Sequence, residues 1–403
     1  MSESGSPARR VLFVETGIGY GGAAICLRHL ARNLDRTRYE PLIVTGLTGP
    51  EYEDIANDAR WLHIRDRYVD VFGMRERIER SQGLGRLPLL KTIALQLVAR
   101  VDDIANFTPF FLKLLWRARR FRPDLVHANN EPLCNRAALL VGKTLKIPTV
   151  CHVRGTPHGS RMMPWTYRLV DHFIPVSHWI SRGIQDLGLP QSKRTVIYDG
   201  IALEALDPNA DPSAFRSAFD VPANAFAVGL VGLLIPWKGQ ELFLDTAKQL
   251  RGEIPNLRML IIGGTPDEYV GFERMLRQRV RDEGLADTVF FTGHVSDMPA
   301  VYAGLDVAVS ASTSPEPLGT MVIETMAMGR PLIAPNHGGA AEMAEHDANA
   351  LLFKPGDPDS LAEMIRRLRV EPGLGQRLGD SAREKALRTF DVKSHVAEVQ
   401  KVY

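Results

Sequence analysis

Cysteine is scarce in this 403-residue chain. Its three cysteines, Cys26, Cys134 and Cys151, are scattered, and none forms a Cys-x-x-Cys pair. That spacing argues against a disulfide framework or a zinc site, and it fits a reducing cytoplasm. Long apolar runs are lacking too. No stretch reaches the roughly 18 apolar residues of a membrane-spanning helix. The first apolar run, Val11–Val14, has the length of one strand, so no signal peptide is expected. Net charge is only +2, and no nucleic-acid partner is expected. The charge is unevenly spread, however. Residues 1–200 hold 29 Lys and Arg against 19 Asp and Glu, and the remainder holds 20 against 28. A basic first half favours an anionic membrane surface or an anionic acceptor.

Three familiar ligand motifs are incomplete. Gly17, Gly19 and Gly22 fit the Gly-x-Gly-x-x-Gly turn that follows a first strand in dinucleotide-binding folds. The second strand, Pro41–Thr45, runs into Gly46 and Leu47 with no acid to hold a ribose, which argues against a nicotinamide cofactor. Gly142, Lys143 and Thr144 are not a phosphate loop, because position 137 is Ala where that loop needs Gly. Asp357-Pro358-Asp359 reads as the cap of the helix that follows, with Pro358 in its first turn, and not as a metal-binding pair. No metal site is expected.

What is present centres on Ser314–Pro335. A short apolar strand, Val307–Ser310, leads into the turn Pro315-Glu316-Pro317-Leu318-Gly319. A helix of about two and a half turns follows over Thr320–Met328, then a strand over Leu332–Ala334. The pattern is a strand, turn, helix and strand of a parallel sheet. The amides of Leu318, Gly319 and Thr320 lie at the helix start without intrahelical partners, and with the helix dipole they suit an anion such as phosphate. Gly319 allows close approach of a ligand to the backbone. Glu316 and Glu324, eight residues apart, are good acceptors for vicinal hydroxyls. Amides for phosphate and acids for hydroxyls together suit a sugar nucleotide.

The remainder reads as alternating strands and helices. Val11–Val14, Pro123–Asn129, Pro148–Gly155 and Phe173–Ser177 are strands of a first sheet; Phe226–Val231, Leu257–Ile262 and Val289–Val295 belong to a second. His152 and Arg154 stand at a strand's C-terminal end, where parallel sheets bind ligands. Lys238 precedes a helix after the turn at Gly232 and is placed to meet a diphosphate. Residues 60–122 hold 14 Lys and Arg against 6 Asp and Glu. Within them, Leu87–Val101 and Thr108–Arg120 read as amphipathic helices. Basic residues beside apolar ones make this region a candidate for a membrane interface.

The stretch Glu316–Glu324 with its inner Pro-Leu-Gly, followed by Glu-Thr-Met-Ala and Gly-x-Pro-Leu-Ile-Ala, resembles the signature of the retaining family 4 glycosyltransferases. The resemblance extends over most of the chain. It implies an α/β GT-B fold: two Rossmann-like doubly wound domains facing a central cleft. Residues 9–201 would bind the acceptor and residues 202–390 the sugar nucleotide, with the C-terminal helix 391–403 packing back on the first domain. It implies a UDP- or GDP-sugar donor, no required cofactor, and a glycan, lipid-linked or small-molecule acceptor. By the same resemblance, His152 and Glu316 are the catalytic candidates. Gly232, Lys238, His294, Val295, Leu318, Gly319, Thr320 and Glu324 would contact the donor, with His294 and Val295 seating the base through backbone. Gly21, Gly22 and Arg154 would line the acceptor side. The expected location is cytoplasmic, at the inner face of a membrane if residues 60–122 rest on one. The family's Arg before Lys238 is Leu233 here, and its Asn before Gly200 is Asp199.

Two other classes stay open on the residues alone. A non-catalytic sugar-nucleotide-binding protein would bind nucleotide without turnover, and Leu233 makes it conceivable. A sugar-nucleotide 2-epimerase of the same fold would need further carboxylates and histidines around the sugar.

Overall fold

The computed structural model describes residues 7–17, 22–81, 83, 87–157 and 163–403. Two compact units emerge. One takes the chain up to Val176 with Ile180–Ile197 and Val396–Tyr403; the other takes Ser177–Trp179 and Tyr198–His395.

The first unit is built on six parallel strands: β1 (Arg9–Glu15), β2 (Tyr39–Thr45), β3 (Arg60–His63), β4 (Leu125–Asn129), β5 (Thr149–Val153) and β6 (His172–Pro175). Their order is β3-β2-β1-β4-β5-β6. Val11, Leu12, Phe13 and Val14 are completely buried. This is why β1 reads as an unbroken apolar run: a parallel strand covered by helices on both faces has no solvent side. The chain reverses direction across the sheet between β1 and β4, where doubly wound sheets place ligands beyond the strand ends. The C-terminal residues add to this core. Tyr403 packs edge-on against Tyr39 and His127, and its hydroxyl shares a 2.6 Å hydrogen bond with His127 Nδ1.

The second unit repeats the plan. Its strands are β7 (Phe226–Val231), β8 (Leu257–Ile262), β9 (Val289–Gly293), β10 (Val307–Val309), β11 (Leu332–Pro335) and β12 (Leu351–Phe353). They run in the order β12-β11-β10-β7-β8-β9, so the switch point lies between β7 and β10. The core gathers Val228, Leu230, Met259, Ile261, Val307, Val309 and Ile333 with the helix side chains Phe243, Leu276 and Ile365. The helix expected after the Pro-Leu-Gly turn spans Thr320–Ala327. The expected cap is present as well: Asp357 accepts from the amides of Asp359 and Ser360, each at 3.1 Å.

All three cysteines are free thiols. Among the described residues, no helix is long and apolar enough to cross a membrane.

Candidate active site

In the second unit, the chain leaving β7 and the chain leaving β10 meet at the switch point. Lys238 comes from the first and Glu316 from the second. Lys238 Nζ lies 2.8 Å from Glu316 Oε2, with the two side chains only 17% and 12% exposed. The other Glu316 oxygen accepts from the Ser312 hydroxyl. His337 Nε2 lies 2.9 Å from the Ser312 carbonyl, so that nitrogen carries its proton. Lys238 also sits 4.7 Å from the ring of Trp237. The carboxylate is thus held from two sides, and the cation is held in place by the carboxylate.

The loop bearing Glu316 is fixed from behind by Gly338 and Gly339. The Gly339 amide donates to the Glu316 carbonyl at 2.8 Å. A Cβ on Gly339 would lie 2.5 Å from the Pro317 carbonyl oxygen and 2.6 Å from the Leu318 Cα. Both are backbone atoms that cannot swing aside, so only glycine permits this approach. Gly239 serves the same end on the other side, where a Cβ would fall 1.9 Å from the Ala311 carbonyl oxygen.

Past the turn, Gly319 takes a positive φ of 101° and the helix Thr320–Ala327 begins. The amides of Leu318, Gly319 and Thr320 make no hydrogen bond among the described residues. They form the open positive end of the helix beside Lys238 and Glu316. One and a half turns in, Glu324 accepts from the Tyr302 hydroxyl at 2.7 Å. Burial raises the Glu324 carboxyl above its ordinary value, and the Tyr302 hydrogen bond only partly opposes that. Among the described residues, Glu324 therefore has a polar contact but no cation. His294 and Val295 follow β9, with His294 exposed and Val295 half-buried. Leu233 is 50% exposed at the turn after Gly232, an apolar side chain in water.

The first unit gathers a second polar cluster at its own switch point. Glu15 ends β1, Asn129 ends β4 and Arg154 follows β5. Asn129 Nδ2 donates to Glu15, and Arg154 Nη1 donates to Asn129 Oδ1. The Gly17 amide donates to the second Glu15 oxygen at 2.6 Å. Burial raises the Glu15 carboxyl; Asn129, the Gly17 amide and the Arg154 charge pull it back. His152 is fully buried on β5, with its Nδ1 3.4 Å from Arg154 Nη2 and its ring 5.6 Å from that of His127. Beside this cluster opens a cavity of about 430 Å³, lined among others by Thr16, Arg67, Arg75, Arg136, Asn106 and Phe107.

Of the residues expected from sequence, Lys238, Glu316 and the Leu318–Thr320 amides converge at one place, with Glu324 on the same short helix. His152 and Arg154 converge at another. Gly22 opens the helix Gly22–Asn33, whereas Gly21, like Gly19, lies outside the described residues. Sequence reasoning missed Ser312, which holds Glu316, and His337, which holds the Ser312 carbonyl, and the partners Glu15 and Asn129 of Arg154. The available signal was their position: each lies at or just past the end of a parallel strand. Glu342 accepts from the amides of His178, at 2.8 Å, and Trp179.

Comparison with known proteins adds to this geometry. Residues 20–205 match the family model described as Glycosyltransferase Family 4, and residues 214–385 the model described as Glycosyl transferases group 1. A GDP-mannose-dependent alpha-(1-6)-phosphatidylinositol monomannoside mannosyltransferase of Mycobacterium tuberculosis is 30% identical over 202 residues, covering 45% of this chain and 51% of that protein. The match thus spans about half the length of that relative. An uncharacterized glycosyltransferase of Methanocaldococcus jannaschii is 27% identical over 95% of this chain and 94% of its own. Among solved structures, Anabaena HepE in complex with UDP-glucose superposes with a TM-score of 0.79 at 23% identity, covering 98% of this chain and all of its own, which establishes a shared two-domain GT-B fold.

Proposed function

Because the chain belongs to glycosyltransferase family 4, with both family models matched in order along it, we propose that it transfers a sugar from a nucleotide-sugar donor to an acceptor hydroxyl with retention of anomeric configuration. The observation that carries this reading is the pairing of Lys238 with Glu316 beside the unpartnered amides of Leu318, Gly319 and Thr320.

In this reading the donor binds the second unit. Its diphosphate takes Lys238 as counter-charge and the three amides as hydrogen-bond donors. Gly232 leaves room for the phosphates. His294 and Val295 seat the base by backbone contacts, and Glu324 accepts from the ribose hydroxyls. Glu316, released from Lys238 when phosphate arrives, turns to the donor sugar. It orients the ring and stabilises the positive charge that develops at the anomeric carbon. The bond from that carbon to the diphosphate oxygen breaks, and its electron pair stays on the phosphate. The acceptor oxygen forms the new bond on the same face, and its proton passes to the departing phosphate. Fixed charges and amides aimed at the leaving group lower the barrier without a required metal.

The acceptor binds the first unit in this reading. His152 and Arg154 contact the transferred sugar or the acceptor, with Gly22 on the same side. The cavity beside Thr16 suits a polyhydroxylated or anionic acceptor, since it mixes guanidinium groups, Asn106 and the Phe107 ring. A thermal-shift screen against UDP-, GDP-, ADP- and dTDP-sugars tests the donor half. Saturation at 100 times the dissociation constant stabilises the folded protein by about 2.7 kcal/mol. The reading expects a shift with one donor class, lost in Lys238→Ala and Glu324→Ala. No shift with any donor would remove its basis.

A further inference from the structure

Residues 88–121 form one unbroken helical run: Pro88–Val101, then Asp102–Phe107 in π winding, then Thr108–Phe121. At 1.5 Å per residue it is about 50 Å long. The wide winding has a local cause. Pro109 lacks an N–H and would leave a carbonyl unpaired one turn earlier. The Asp103 carbonyl, already taken by the Thr108 amide across the π turn, also accepts from the Thr108 hydroxyl at 2.6 Å. Buried Asn106 fastens the run to the loop before it, accepting from the amides of Tyr68 and Val69 and donating to the Val69 carbonyl.

The outward side of this run is apolar. Leu89 is 72% exposed, Leu97 62%, Ile104 72%, Leu112 56% and Trp116 50%, with Ile93 between the first two at 44%. Leu89, Ile93 and Leu97 are spaced by four and share a face. Helices of water-soluble proteins turn such residues inward. Over Thr108–Phe121 the inward side is already filled by Phe110, Leu114, Leu115, Ala118 and Phe121. The exposed row is therefore a second apolar face, and a contiguous face of this kind marks an interaction surface.

Its surroundings are cationic at both ends. Arg117 and Arg120 lie 4.7 and 5.1 Å from the Trp116 ring, beside exposed Lys113 and Arg119. At the other end the run packs against the helix Val71–Arg80, which exposes Arg75, Arg77 and Arg80 alongside Glu79, with Arg80 paired to Glu76 and Arg75 and Arg77 in excess. A second copy of the chain would bring the same basic ends to the contact. Anionic lipid headgroups complement them, while leucines enter the acyl boundary and Trp116 sits among its arginines at the interface.

We infer that the outer face of the helix 88–121 docks on an anionic lipid bilayer, lying in its surface. Arg100, Asp102, Asp103, Asn106 and Phe107 of the same run line the cavity in the first unit. A docked protein thus holds that cavity close to the bilayer. If the transferase reading stands, on which this clause rests, the acceptor is lipid-linked.

Flotation of the full chain with vesicles tests the docking. One set is an equal mixture of phosphatidylglycerol and phosphatidylcholine, the other phosphatidylcholine alone. Wild type is expected to float with the anionic vesicles at low salt, at least tenfold more than with the neutral ones. Leu89→Ser/Leu97→Ser/Ile104→Ser is expected to reduce flotation at least tenfold with an unchanged thermal midpoint, because all three side chains already face water. Arg119→Gln/Arg120→Gln is expected to cost roughly fivefold per residue at low salt, the loss shrinking as salt rises. The inference is overturned if wild type stays soluble with anionic vesicles, or if the triple serine variant floats equally well. It is also overturned if that variant abolishes a concentration-dependent dimer that ignores vesicles, which would make the face a contact between copies. The donor-induced thermal shift, measured on the same samples, involves none of these residues and reports separately on the transferase reading.

Discussion

Replacing Glu316 by Gln should separate nucleotide binding from turnover, in opposite directions. Lys238 and Glu316 are 2.8 Å apart, with side chains 17% and 12% exposed. Two unit charges at that separation attract by about 6 kcal/mol at an effective dielectric constant of about 20. Desolvation of both groups and residual screening reduce the net value of such a pair to about 1–2 kcal/mol. A diphosphate that uses Lys238 must compete with this carboxylate. Glutamine keeps the shape and can still accept from Ser312, but it removes the competing charge. Binding of UDP or GDP alone should then tighten by about tenfold, since 1.4 kcal/mol is a factor of ten. Turnover should fall by roughly 100-fold if, as proposed, that carboxylate stabilises the charge developing at the anomeric carbon. Lys238→Met should instead weaken nucleotide binding at least tenfold. Isothermal titration with each nucleotide measures the first quantity, and release of nucleoside diphosphate from the donor measures the second. A folded Glu316→Gln protein that binds both nucleotides more weakly than wild type would refute the reasoning, because Glu316 would then be a nucleotide ligand and not a competitor.

Three further perturbations have definite signs. Glu324 has its carboxyl raised by burial, so the unfolded chain ionises first and stability falls as pH rises from the ordinary value of 4.5 through the folded one; Glu324→Gln should raise the thermal midpoint at neutral pH, match wild type below that window, and abolish the donor-induced shift. Gly339→Ala would drive a Cβ into backbone atoms of Pro317 and Leu318 and should cost about 3 kcal/mol in urea unfolding. Leu233→Arg puts a cation at a site that is 50% exposed; it should change stability by no more than about 0.5 kcal/mol and tighten donor binding in titration.

The second unit was the more legible in sequence, and the reason is physical. Apart from His294 and Val295 after β9, its candidate residues lie in two short segments, 232–239 and 314–324, each a strand end passing into a helix, so local turn chemistry announced them. Glu316 and Lys238 could be named, but their contact could not, because it depends on β10 lying beside β7. The first unit's cluster was harder for the same reason. Glu15, Asn129 and Arg154 are far apart in sequence and meet only because β1, β4 and β5 are adjacent. His152 and Arg154 stand out by their place at a strand end; Glu15 and Asn129 occupy equivalent places, but nothing local in the sequence marks them as partners. In residues 60–122 the amphipathic pattern located both helices, Pro88–Val101 and Thr108–Phe121. It did not reveal that they are one run, because a proline normally ends a helix, and the π winding that accommodates Pro109 leaves no mark in the hydrophobic period. Nor could it tell which apolar residues face water, since periodicity finds a face but not what covers it.

The proposed transfer requires that a nucleotide-sugar donor be broken at the site of Lys238 and Glu316. Release of nucleoside diphosphate from UDP-, GDP-, ADP- and dTDP-sugars, with wild type beside Lys238→Ala, measures that most directly. Slow release from one donor class is expected of wild type even without acceptor, reduced at least tenfold by the substitution. Release that is unchanged by Lys238→Ala, or donor binding with no release under any condition including added acceptors, would contradict it.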